Sequence, residues 1–84
     1  MSKILLLEDD ANLNDTVAEF LEEKGYDVVS VYDGYEAQEK LYESKYDLLL
    51  LDVNTPGING FDLLKEARDS DVVAPAIFIT SLDS

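Results

Sequence analysis

Eighty-four residues with 46% hydrophobic and 30% charged content make one small globular domain at most and exclude a disordered chain. A formal net charge of −13, with only six scattered basic residues, argues against direct contact with nucleic acid; the lack of Cys and His removes disulfides, thiolate metal sites and the usual transition-metal ligand. No apolar run approaches the ~18 residues of a membrane span, and Met1-Ser2-Lys3 opens directly onto a short apolar run, so neither a span nor a secretion signal is expected and a cytoplasmic setting fits.

Along the chain, Ile4 to Leu7 is continuously apolar, the pattern of a strand buried on both faces. Glu8-Asp9-Asp10 follows. A helix is expected over Asn12 to Lys24, with Leu13, Val17, Phe20 and Leu21 on its inward face and Gly25 just past its end. Asp27 to Tyr32 reads as a second strand, polar enough to be an edge. Asp33 with Glu36 three residues on resembles a capping box, opening a helix that runs to about Glu43. Leu48 to Leu51 is the third strand and ends on Asp52. Asn59 is the expected cap of a third helix, Gly60 to Arg68, with Phe61, Leu64 and Ala67 on one side. Ala76 to Thr80, after Pro75, is a fourth strand.

Strands alternating with helices imply a doubly wound α/β fold with a parallel sheet and right-handed crossovers. The apolar first and third strands belong at the centre, which gives the order 2-1-3-4. Handedness then places the first helix on one face of the sheet and the second and third on the other. That leaves the first helix's face thinly covered over strands three and four.

A carboxylate after an apolar strand is often only a helix cap. Here Pro56 and Gly57 mark an intervening turn, and Asn59 is the better cap. In the order 2-1-3-4 the first and third strands end side by side, where strand order reverses and doubly wound sheets bind ligands. Glu8, Asp9 and Asp10 leave one strand end and Asp52 the other. A coincidental acidic rim is the plain alternative in a chain with 19 acidic residues. Converging carboxylates repel and some take up protons, a penalty that Mg²⁺ relieves by accepting carboxylate oxygens. Thr80, ending the fourth strand on the same side, could donate a hydroxyl to an oxyanion. Carboxylate nucleophile, cation and hydroxyl together compose a phosphoryl site in which Asp52 would form an acyl phosphate.

The stretches "ILLLEDD", "LLLLDVNTPGINGFDLL" and "PAIFITS" together resemble the receiver domain of two-component response regulators, the family of the chemotaxis regulators. The resemblance implies a flavodoxin-like fold with strand order 2-1-3-4. It implies that Asp52 accepts a phosphoryl group from a sensor histidine kinase, the expected partner. It implies that Glu8 and Asp9 place Mg²⁺, with Asp9 the direct ligand, that the Asn54 backbone carbonyl also binds the ion, and that Thr80 is the switch hydroxyl. Thr55 stands where Met is more usual in the family. A whole receiver continues with another helix, strand and helix, and carries a lysine at the end of the fifth strand. Residues 1–84 are therefore expected to be the N-terminal part of a receiver, truncated after the fourth strand and impaired in signalling.

Two other functions compete with a phosphoacceptor that is not itself an enzyme. A haloacid-dehalogenase-like phosphatase also sets a nucleophilic Asp after an apolar strand, but wants a second carboxylate two residues on, where this chain has Asn54. The other is an interaction fragment without chemistry. A homodimer is expected through the fourth strand's edge or the uncovered sheet face.

Overall fold

A computed structural model describes residues 2–79. It contains β1 (Lys3–Leu7), α1 (Ala11–Glu23), β2 (Asp27–Val31), α2 (Gly34–Glu43), β3 (Leu48–Asp52), α3 (Gly60–Asp69) and β4 (Ala76–Ile79). The four strands form one parallel sheet in the order β2-β1-β3-β4, as the apolar pattern implied. Pairing of β1 with β3 runs from Ile4↔Leu48 to Leu7↔Leu51.

Local chemistry sets the element ends. Asp10 caps α1, its Oδ1 accepting the Leu13 N–H at 3.1 Å, which starts the helix one residue earlier than its periodicity suggested. The helix stops where Gly25 turns left-handed at φ 95°, letting the Gly25 and Tyr26 N–H groups reach the Glu22 and Leu21 carbonyls. Asp33 caps α2 through the Glu36 N–H at 2.8 Å. Glu36 answers one residue further back than a standard box, accepting the Tyr32 N–H at 2.7 Å, and β2 accordingly ends at Val31. Asn59 caps α3, accepting the Asp62 N–H at 2.9 Å.

The main core fills one face of the sheet. Leu5, Leu7, Leu49, Leu51 and Val31 pack there with Ala37 of α2 and Leu63 of α3. The other face carries α1 over Ile4 and Leu6, both buried. Two expected helix faces are rotated. In α1 the buried position is Asn14, with Val17, Ala18 and Leu21 half-buried, while Leu13 and Phe20 are 38% and 57% exposed. The helix axis sits so that Asn14 reaches the strand ends, and this turns Leu13 and Phe20 onto the flank. In α3 Leu63 and Ala67 face the core, and Phe61 lies outside it, packed at a 48° tilt against Phe78 with 4.5 Å between ring centroids.

The face shared with α1 thins towards β4. Leu48 and Leu50 are only half-buried there and Ile77 is 52% exposed. Among the described residues no strand pairs with the outer side of β4. The Leu49 N–H bonds the Pro75 carbonyl and the Val53 N–H the Ile79 carbonyl, so the alternation of a parallel ladder turns the main-chain groups of Ala76 and Phe78 outward.

Candidate metal and phosphoacceptor site

Register builds the site. Leu7 is level with Leu51, so the next residues, Glu8 and Asp52, leave the sheet side by side on the α1 face. Carboxylate oxygens of Glu8, Asp9 and Asp52 lie within 4.8 Å of one another. Glu8 is 1% exposed and Asp52 2%, whereas Asp9 reaches solvent. Asp10, the fourth acid expected at this crevice, is instead committed to capping α1. Its N–H donates to Glu8 Oε2 at 2.9 Å, so Asp10 supports the cluster through its main chain.

Glu8 is charged only at a cost here. Burial is the largest cause and pushes its carboxyl from an ordinary 4.5 up to about 7; the Asp10 N–H opposes the shift, and the negative charge of Asp52 reinforces it. A buried acid held beside another carboxylate has an unmet need for positive charge. The donors are all oxygen, and the chain has no His or Cys, so the set fits a hard divalent cation and not a soft one.

The loop after Asp52 is tightly held. Asp52 Oδ1 accepts the Asn54 N–H at 3.1 Å, and Asn54 itself is exposed. Thr55 is buried and its Oγ1 donates to the Ile58 carbonyl at 3.1 Å. That bond gives the unusual Thr a role in fixing the loop that its position in the sequence did not disclose. The Gly34 N–H donates to the Pro56 carbonyl at 3.0 Å, and a Cβ on Gly34 would run into the Ile58 backbone. A Cβ on Gly60 would likewise strike the Asp52 carbonyl, so α3 starts hard against the strand that carries the aspartate. Thr80 lies outside the described residues.

The structure also brings in Asn14, a residue absent from the sequence expectations. It is fully buried and bonds the main chain at Glu8 and Val31. The available signal was its spacing, four and seven residues before Ala18 and Leu21 on the inward face.

Comparison with known proteins bears on this arrangement. The family model for the response regulator receiver domain matches residues 4–84. The chain is 46% identical over 81 residues to the transcriptional regulatory protein CrdR of Helicobacter pylori, covering 95% of this chain and 38% of that protein. It is 44% identical over 87 residues to the transcriptional regulatory protein CiaR of Streptococcus pneumoniae, covering 100% and 37% respectively. The chain thus spans well under half the length of these curated relatives. Among solved structures, the receiver domain of the Francisella response regulator 1452 superposes with a TM-score of 0.92 at 31% identity, covering 100% of this chain and 69% of that one. The response regulator TrrA from Thermotoga maritima, solved in complex with Mg²⁺-BeF, gives 0.89 at 35% identity, covering 95% and 70%.

The raised Glu8 carboxyl has a measurable consequence. Between 4.5 and about 7 the folded chain keeps a proton that the unfolded chain releases. In chelator, the Glu8 contribution to stability is therefore full below that window and declines as pH rises through it, by on the order of 3 kcal/mol. Glu8→Gln should lose this slope, and its stability relative to the parent should grow from pH 4.5 to 7 in urea unfolding. Parallel pH profiles for the two proteins would contradict the assignment.

Proposed function

The chain belongs to the response regulator receiver domain family, and from that premise we propose that it is a phosphoacceptor in two-component signalling, with Asp52 receiving a phosphoryl group from a sensor histidine kinase. The observation that carries the reading is the gathering of Glu8, Asp9 and Asp52 within 4.8 Å at the paired ends of β1 and β3. Glu8, Asp9, Asp52 and the Asn54 backbone carbonyl would hold Mg²⁺, the ion present with the similar TrrA protein. When bound, that ion supplies positive charge against the phosphoryl oxygens, which with positioning is most of what such transfer requires.

The remaining work falls to the chain. A carboxylate oxygen of Asp52 attacks phosphorus, the bond from phosphorus to the kinase imidazole nitrogen breaks, and its electron pair stays on that nitrogen. The Asn54 N–H, donating to Oδ1, orients the carboxylate for attack. Burial of Asp52 and Glu8 keeps bulk water from competing. Thr80, at the expected end of the fourth strand, is assigned the hydroxyl donor to the phosphorylated state. Family membership does not favour a dehalogenase-like phosphatase.

In this reading residues 1–84 correspond to the N-terminal part of a receiver, consistent with coverage of 69% and 70% of two solved receiver chains, and act in the cytoplasm. Among the described residues no helix is long and apolar enough to cross a membrane. The thinly covered face of Leu48, Leu50 and Ile77, beside the outward main chain of Ala76 and Phe78, is assigned to a second copy of the chain.

Two outcomes follow. Incubation with acetyl phosphate and Mg²⁺ should give singly phosphorylated protein by intact mass. Borohydride trapping should map it to Asp52, and Asp52→Asn should abolish it. An adduct that persists in that variant would assign the chemistry elsewhere. At moderate salt, where screening acts over ~8–10 Å, light scattering should report twice the chain mass, and Ile77→Lys should return a monomer. A parent that is monomeric at high concentration would remove the pairing surface.

A further inference from the structure

We propose that Asn14 is a positioning residue for the cation site, its side-chain amide fixing the Glu8–Asp9 peptide from which two of the carboxylates project. The inference rests on the reading of Glu8, Asp9 and Asp52 as an Mg²⁺ site.

Asn14 Nδ2 donates to the Glu8 carbonyl at 3.0 Å and to the Val31 carbonyl at 3.1 Å. The Val31 carbonyl also accepts the Glu8 N–H at 3.1 Å, so the main chain of Glu8 is gripped on both sides of its Cα. Asn14 is itself anchored, its N–H donating to the Asp10 carbonyl at 2.9 Å. The result is a closed set of bonds joining the ends of β1 and β2 to the first turn of α1. A peptide is planar, so holding the Glu8 carbonyl also orients the Asp9 N–H and Cα. Both acidic side chains therefore leave a fixed frame.

Asn14 Oδ1 is the second observation. It is buried and has no hydrogen-bond partner among the described residues. An orphaned buried acceptor costs about 1–3 kcal/mol, and Asn is also a mediocre helix former. Leucine, of similar shape, would fill this inward position of an otherwise apolar face without an orphaned side-chain acceptor. It could not donate to the two strand-end carbonyls, and that of Glu8 would lose the Asn14 donor. The residue thus carries a stability penalty whose return is the geometry of Glu8 and Asp9, which matches groups that orient metal ligands from behind.

The test uses the parent chain, Asn14→Leu and Asn14→Asp, the last nearly isosteric but without the donor. Each is titrated with Mg²⁺ by calorimetry and by NMR of backbone and side-chain amides. In the parent, the Asn14 side-chain resonances should shift in step with the backbone amides of Glu8 and Asp9. Both variants should bind about tenfold more weakly under conditions where thermal melts in chelator show them folded. A parent that binds no Mg²⁺ overturns the reading of the cluster itself. A parent that binds, with variants of equal affinity or Asn14 side-chain resonances that do not move, overturns the role of Asn14 alone. If both variants fail to fold, the parent's side-chain resonances decide.

Discussion

The parallel register between β1 and β3 is the constraint on which the rest depends. Leu7 opposite Leu51 makes Glu8 the neighbour of Asp52, and both side chains emerge on the α1 face. A slip of one residue would send every β3 side chain to the opposite face and carry Asp52 out of the cluster. The register is held by burial on both sides: Leu5, Leu7, Leu49 and Leu51 face α2 and α3, and Ile4 and Leu6 lie beneath α1. The greasy run before Asp52 is therefore the means of placing a charge. It makes a rigid, uniquely registered strand whose last residue can be buried where solvent could not otherwise be kept out.

Around that fixed pair the chain spends polar groups on immobility. Thr55 ties the loop to itself, Gly34 accepts the loop's close approach, and Gly60 lets α3 start against the Asp52 carbonyl. On the β1 side Asp10 and Asn14 do the corresponding work through main-chain bonds. The site is thus preorganised from both strand ends. The remaining tension is electrostatic, in the buried Glu8 carboxyl driven up to about 7.

What could be read from the sequence followed from strong, local signals. Alternation with helices gave the parallel sheet, and the apolar runs gave the central strands and with them the order β2-β1-β3-β4. The convergence of Glu8, Asp9 and Asp52 followed from that order alone. The failures have a common cause. Spacing gives the period of a helix but not the angle at which it docks, so Leu13, Phe20 and Phe61 were assigned inward while Asn14 and Leu63 take those positions. Adjacency likewise could not tell that Asp10 turns back to cap a helix while Asp9 joins the cluster. Glu36 reached Tyr32 and not Asp33 because the turn after β2 sets which N–H faces the carboxylate. Register and helix rotation are tertiary facts, and local pattern fixes them only where one face is plainly apolar.

The central claim is that the Glu8 carboxyl, buried and beside the charge of Asp52, holds a proton until a cation takes its place. Proton release on Mg²⁺ addition measures this directly, in a weakly buffered solution under a pH-stat. With Glu8 titrating near 7, binding at pH 7 should expel about half a proton per ion. The release should fade at pH 9, where Glu8 is already ionised, and vanish at pH 7 in Glu8→Gln. Saturating Mg²⁺ binding at pH 7 with no proton released would contradict the account.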